Sequence, residues 1–192
     1  MWPVDKWTNE TYVYYNNAFS NDEVNTIIQI GKNLHTIDAV VGGNEGRTDG
    51  SIRKSKVSWL TLHKDYEWIW SKVSKITYDI NNEFFKYDLT NIESLQYTEY
   101  DESYNGYYSA HTDRGYDTMI NRKLSFVLQL SDASEYEGGD LLLYGDSLKP
   151  LVAPKEKGRM VFFSGFTLHE VTPVTKGNRK TLVGWVNGPR FR

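Results

Sequence analysis

The sequence predicts an α+β chain that is mainly β: a double-stranded β-helix, or jelly roll, standing behind N-terminal supporting helices. Three observations predict it. Helical periodicity is confined to two stretches in the first half of the chain. After Tyr87 the texture changes to short alternating or β-rich segments separated by Gly, Asp, Asn and Pro. No repeat, linker or apolar run of membrane-spanning length interrupts this pattern. With 192 residues, 39% of them hydrophobic, the chain suits one domain over 1–192, with 1–90 as helical support and a lid loop and 91–192 as the jelly-roll core.

Residues 10–19 read as an opening strand that runs into a turn. Ser20-Asn21-Asp22-Glu23 then has the form of a capping box, in which Ser20 accepts from the backbone three residues on and Glu23 reaches back. A helix follows, with Val24, Ile27, Ile28, Gly31 and Leu34 on one stripe. Residues 42–50 hold four glycines and almost no apolar side chain, which marks a loop and a candidate lid. Residues 57–60 form a short strand. Residues 65–85 carry the clearest helical stripe: Tyr66, Ile69, Trp70, Val73, Ile76, Ile80 and Phe84.

Eight strands are expected downstream, at 92–100, 106–111, 122–130, 139–144, 148–152, 159–163, 167–174 and 180–187. The alternation is cleanest at 124–130. There Leu124, Phe126, Leu128 and Leu130 share a face that belongs on the helices, and Ser125, Val127 and Gln129 share the face that looks into the barrel.

Composition narrows the chemistry. Net charge is −3, with no basic block, so a sequence-independent grip on nucleic acid is disfavoured. The absence of cysteine excludes disulfides, thiolate metal sites and cysteine nucleophiles, and leaves His, Asp and Glu as metal ligands. The first residues lack the layout of a signal peptide, so a soluble, cytoplasmic protein without a membrane anchor is expected. His35, near a helix end, and His63, before a helix start, read as structural.

Within this frame His111-Thr112-Asp113 stands out. In an extended strand, side chains at i and i+2 share a face, so an imidazole and a carboxylate so spaced can hold one side of a metal ion. His169, from another strand, would complete two histidines and one carboxylate, the set that leaves open positions on a non-haem iron(II) centre. Alone, the tripeptide reads more readily as a hydrogen-bonded pair in a turn, since four histidines and 25 acidic residues produce such spacing by chance about half the time.

The surrounding signatures, in order, are Gln96-Tyr97-Thr98-Glu99-Tyr100, Gly106-Tyr107-Tyr108-Ser109-Ala110, Arg122-Lys123-Leu124-Ser125, Tyr136-Glu137-Gly138-Gly139-Asp140, Gly158-Arg159-Met160-Val161-Phe162-Phe163, and His169-Glu170-Val171-Thr172-Pro173 with Gly177-Asn178-Arg179. Over about residues 92–187 this resembles the 2-oxoglutarate- and iron(II)-dependent dioxygenases, in particular the prolyl 4-hydroxylase branch and its bacterial and phage relatives.

The resemblance implies His111, Asp113 and His169 as iron ligands and Arg179 as the anchor of the distal 2-oxoglutarate carboxylate. A planar, always charged guanidinium suits that task. It also implies a tyrosine donating to the co-substrate: Tyr100, with Tyr97 as rival because the spacing to His111 is one residue longer than in some members. Ser125 and Gln129 face the right way to assist. Iron(II), 2-oxoglutarate and dioxygen are the implied cofactors, with ascorbate in support, and the implied reaction hydroxylates an unactivated C–H bond while 2-oxoglutarate becomes succinate.

The leading substrate by this resemblance is a prolyl residue in a peptide or protein, with Tyr107, Tyr108, Arg122 and Trp185 near it. A free amino acid or small metabolite is the alternative, and a non-catalytic jelly-roll binding module is the other. The nucleic-acid demethylase branch is disfavoured because Trp185 occupies the position of its second arginine. Asp113 separates the chain from halogenase relatives, which lack the metal carboxylate. Oligomeric state is not readable.

Overall fold

The computed structural model describes residues 11–42, 46–115, 117–145 and 149–190. The elements in chain order begin with β1 (Tyr12–Tyr15), α1 (Asn21–Asn33), β2 (Ile37–Asp38), β3 (Arg53–Lys54), β4 (Lys56–Leu60) and α2 (Glu67–Ile80). Next come β5 (Asn91–Asp101), β6 (Tyr107–His111), β7 (Arg122–Gln129), β8 (Tyr136–Gly138) and β9 (Leu141–Tyr144). The chain closes with β10 (Leu151–Val152), β11 (Met160–Ser164), β12 (Leu168–Val171) and β13 (Val174–Asn187). The large sheet runs β1-β11-β7-β13-β5-β4-β2, with β8 pairing the start of β13, and the small sheet runs β10-β9-β12-β6-β3. All of these pairings are antiparallel. This is the expected jelly roll with helices behind it.

The N-terminal residues do more than buttress. β1, β2 and β4 extend the large sheet at both edges, and β3 forms an edge of the small one. β1 and β4 match the strands expected at 10–19 and 57–60, whereas β2 and β3 are two residues long, too short for a period-2 pattern to declare them.

One core layer lies between the large sheet and the helices, the other between the sheets. Leu124, Phe126, Leu128 and Leu130 join Val24, Ile27, Ile69, Val73 and Ile76 in the first, as the alternation along β7 requires. The capping box at α1 is complete: Ser20 Oγ accepts from Glu23 N at 3.3 Å and Glu23 Oε2 accepts from Ser20 N at 2.7 Å. Gly31 lets α1 lie directly on the Tyr97 ring, where a Cβ would come within 2.4 Å of Tyr97 Cγ.

The second helix differs from expectation at its end. A turn of π-helix at Asn81–Phe85 follows α2, and the extra residue rotates the stripe. Phe84, expected inward, is 43% exposed, while Phe85 packs on the core instead.

Between the sheets, Tyr100, Val127, Leu141, Val161, Phe163 and Val171 form the second layer. β13 is the longest strand, and its middle is hydrogen-bonded to β5 on one side and β7 on the other. The gap expected between strands at 167–174 and 180–187 is instead spanned by this one strand, in which Gly177 takes φ +74° and the pairing passes from β8 to β5. No helix among the described residues is long and apolar enough to cross a membrane.

Candidate metal centre and co-substrate pocket

His111 and His169 are register partners across β6 and β12, so their side chains leave the small sheet side by side toward the interior. Their ring centroids lie 4.2 Å apart. Asp113 sits just beyond the end of β6, in a bend rather than on the strand, and its carboxylate reaches back between the two rings. Oδ1 is 3.8 Å from His111 Nε2 and Oδ2 is 3.6 Å from His169 Nε2. One donor atom from each residue falls within 4.8 Å of the others.

Backbone geometry fixes which nitrogen of each ring faces inward. His111 Nδ1 lies 2.7 Å from the Ser109 carbonyl and His169 Nδ1 lies 2.9 Å from that of Thr167. A carbonyl only accepts, so each Nδ1 carries the proton and each Nε2 offers a lone pair toward Asp113. Burial, with the neighbouring His169, holds His111 down to about 4, which keeps the ring neutral and available as a ligand. Burial pushes Asp113 up, but His169 and His111 outweigh it and hold the carboxyl below its ordinary value. The Ser125 hydroxyl and Trp185 indole lie close enough to add to that lowering, yet neither reaches hydrogen-bond geometry. Two imidazoles that turn Nε2 toward one carboxylate fit iron(II).

Arg179 lies across the same pocket. It is 2% exposed, donates from Nη2 to Gln129 Oε1 at 3.3 Å, and stands over the Tyr100 ring at 5.5 Å. Its Nε has no hydrogen-bond partner, and no carboxylate pairs with it among the described residues. A buried guanidinium served by one neutral acceptor is a seat for an anion. The pocket joining it to the three donors is walled by Leu141, Phe163, Val171 and Val183 among others.

The expected co-substrate residues divide by strand parity. Tyr100 lines the pocket, as its place on the inward face of β5 requires. Tyr97 is a correction: it is odd-numbered on the same strand, so it faces the helices, where it packs on Gly31 and donates to Glu99 Oε1 at 2.6 Å. Ser125 abuts Asp113 rather than the cavity. Gln129 acts through Arg179, because its amide is spent between Arg179 Nη2 and the Pro154 carbonyl at 3.1 Å.

Outside lies a wider mouth of about 810 Å³, reached past Asp113, Tyr108 and Trp185. Tyr108 stacks on His111, with centroids 3.6 Å apart and planes 20° from parallel, and burial pushes its hydroxyl up to about 12. Trp185 contacts Trp59 at 6.2 Å and carries the Arg122 guanidinium 4.2 Å over its ring. Arg122 is clamped by both oxygens of Glu93, at 2.9 and 2.6 Å. Tyr107 is a second correction: it points to the opposite side of β6 from Tyr108 and donates to the Gly50 carbonyl at 3.0 Å.

Of the expected lid, residues 43–45 lie outside the described residues. Its flanks are joined by reciprocal hydrogen bonds between Val41 and Arg47 at 3.0 Å, and Val40, Val41 and Gly42 line the mouth.

Sequence reasoning missed Arg53, Gln96 and Glu93. Arg53 lines both pocket and mouth, donates to Ser55 Oγ at 2.7 Å and to Gln96 Oε1 at 3.0 Å, and lies 4.6 Å over the Tyr108 ring. It follows a Gly-rich loop on a two-residue strand, where no motif marks it. Glu93 and Gln96 were legible only as strand residues.

Residues 95–187 match the sequence model of the 2OG-Fe(II) oxygenase superfamily. That stretch is just under half of the chain. A PKHD-type hydroxylase of Synechococcus sp. (strain CC9605) is 40% identical over 81 residues, which are 41% of this chain and 36% of that protein. One from Idiomarina loihiensis is 35% identical over 90 residues, 45% of this chain and 41% of that protein. The matches thus span well under half the length of these relatives. Among solved structures, a Pseudomonas putida prolyl-4-hydroxylase superposes with TM-score 0.73 at 18% identity, covering 95% of both chains. A Trichoplax adhaerens prolyl hydroxylase, in complex with a hypoxia inducible factor oxygen degradation domain peptide fragment, gives 0.74 at 18% identity over 93% of this chain and 84% of its own. At such identity the likeness is one of fold.

Proposed function

We propose that the protein is an iron(II)- and 2-oxoglutarate-dependent dioxygenase that hydroxylates a prolyl residue in a peptide or protein, built as one catalytic domain. One observation carries this reading: a buried guanidinium without a carboxylate partner shares a pocket with two imidazoles and a carboxylate. The kinship with PKHD-type hydroxylases supports it, as does a fold shared with prolyl hydroxylases, one of them seen with a peptide.

His111 Nε2, His169 Nε2 and an Asp113 oxygen would hold the iron. Iron bound there supplies the activation of dioxygen that turns 2-oxoglutarate into succinate and carbon dioxide and places a hydroxyl on the substrate carbon. The protein's share is placement and exclusion. Arg179, aimed by Gln129, neutralises the distal carboxylate of the co-substrate, and Tyr100 beside it offers a hydroxyl. Leu141, Phe163 and Val171 keep water from the keto acid. Tyr108 and Trp185 wall the approach as flat faces for a pyrrolidine ring, and Glu93 holds Arg122 rigid at the rim.

Anaerobic addition of iron(II) and 2-oxoglutarate should raise a metal-to-ligand charge-transfer band that D113A lacks. With dioxygen and ascorbate present, mass spectrometry of proline-containing peptides should show a one-oxygen gain coupled to succinate. Absence of the band would make the chain a binding module. A band with oxygen transferred to free amino acids, and never to peptides, would overturn the substrate assignment.

A further inference from the structure

A second, half-open cavity lies behind β3 and is lined by Asp38, Thr48, Arg53, Lys54, Lys56 and Tyr104 among others. It is not part of the metal pocket, yet the two share one wall: Arg53 faces this cavity, the metal pocket and its mouth.

Charge there is unbalanced. Arg53 is half-buried, and both of its acceptors, Ser55 Oγ and Gln96 Oε1, are neutral. The Lys54 and Lys56 side chains make no ion pair and no hydrogen bond among the described residues. The opposing charge is Asp38, which faces Lys56 across β2 and β4, while Glu99 faces Lys56 from β5 and accepts from Tyr97. Nearby, Asp49 is already engaged by Arg47 at 3.6 Å and by Ser51. Three cations therefore line the cavity against one carboxylate. The lysines are exposed and need no partner for stability, but a half-buried guanidinium with only neutral acceptors favours an anion beside it.

We propose that this cavity is a subsite for an acidic side chain of the polypeptide substrate, in the segment flanking the residue that enters the metal pocket. The inference rests on the peptide-substrate reading above. An extended chain advances about 3.3 Å per residue, so a carboxylate a few residues from the reacting one is offered to the wall that Arg53 shares with the metal pocket, beside Lys54 and Lys56. Exposed lysines steer an anion weakly. Such contacts suffice for a side chain tethered to an already seated peptide, whose second contact is intramolecular.

The test uses the iron- and 2-oxoglutarate-loaded protein and one proline-containing peptide with Glu, Ala or Lys at the flanking positions. Initial rates of oxygen gain give kcat and KM for each. The expected order of kcat/KM is Glu over Ala over Lys, with Glu exceeding Ala by about tenfold, chiefly through KM, near 0.01 M ionic strength and by little at about 1 M. K54E/K56E should reverse the order while melting as cooperatively as the parent. K54R/K56R should keep it, as should K75E, a control on the exposed face of α2. Equal rates for the three peptides, or a Glu preference that survives K54E/K56E, would refute the subsite. Free glutamate abolishing the preference at concentrations near the peptide KM would make it a site for a small anion and refute it too. Turnover without flank preference sinks this inference alone; no turnover of any proline peptide sinks the substrate reading beneath it.

Discussion

Replacing Arg179 by Met should make the protein without co-substrate more stable, and blind to 2-oxoglutarate. Arg179 is 2% exposed and has a neutral acceptor, an aromatic face and no counter-ion. Burying a charge so poorly compensated costs several kcal/mol, and an apolar side chain of similar length removes that cost. Against it stands the loss of a donor for Gln129 Oε1, about 1 kcal/mol. The net gain is about 1–2 kcal/mol. For 192 residues, unfolding entropy of about 2.1 cal/mol/K per residue converts this to a rise of roughly 2–5 °C in Tm. With manganese(II) in place of iron to prevent turnover, 2-oxoglutarate at a hundred times its Kd adds about 2.7 kcal/mol to the parent, or about 7 °C. R179M should lose that increment. Thermal melts of both proteins with and without 2-oxoglutarate decide the matter. An R179M protein melting about 3 °C or more below the parent would mean that Arg179 belongs to the fold, and a retained 2-oxoglutarate shift would mean that the anion sits elsewhere.

Three further outcomes follow from the geometry. E93A frees Arg122 from its bidentate clamp at the mouth, so KM for a peptide substrate should rise about tenfold, or about 1.4 kcal/mol, with kcat little changed, read from steady-state rates. G31A gains up to about 1 kcal/mol in helix propensity but drives a Cβ to 2.4 Å from Tyr97 Cγ, so a net loss of about 1–2 kcal/mol should appear in denaturant melts. For Glu23, burial raises the pKa, but hydrogen bonds and charge from Lys72 and Ser20 outweigh it and leave the folded value below 4.5. Its contribution is therefore present above pH 4.5 and lost as pH falls through the lowered value, so E23Q should lower Tm at pH 7 and do so progressively less as the pH falls through that value, read by thermal melts.

Much of this was legible in the residues because side-chain direction follows from parity and spacing. The alternation along 124–130 fixed which face of β7 meets the helices, Ser20 and Glu23 marked the start of α1, and the His-x-Asp spacing survived even though Asp113 sits past its strand. What escaped notice depended on register or on insertion. Tyr97 and Tyr100 are equally plausible until β5 is paired and odd and even positions acquire different neighbours. Phe84 turned outward because a π-turn adds a residue that no period-3.6 stripe anticipates. Tyr107 and Tyr108 alternate on β6, and only one can face the metal site. Arg53 rests on a strand of two residues, below the length at which any period exists, and its importance comes from three cavities meeting around it.

β13 places Arg179 and Trp185 six residues apart, with Thr181 and Val183 between them on the same inward row. The strand thus acts as a gauge, setting the floor and the rim on a single rod roughly 20 Å long. Because neighbours hold that rod on both sides, it can shift only in whole steps, and a one-residue slip turns every side chain about. Two residues would move both ends together by about 6.6 Å. Evolution therefore has no backbone adjustment of one methylene's length. Accommodating a longer or shorter diacid falls to the cation at the floor itself, where lysine for arginine changes the depth without disturbing the rim.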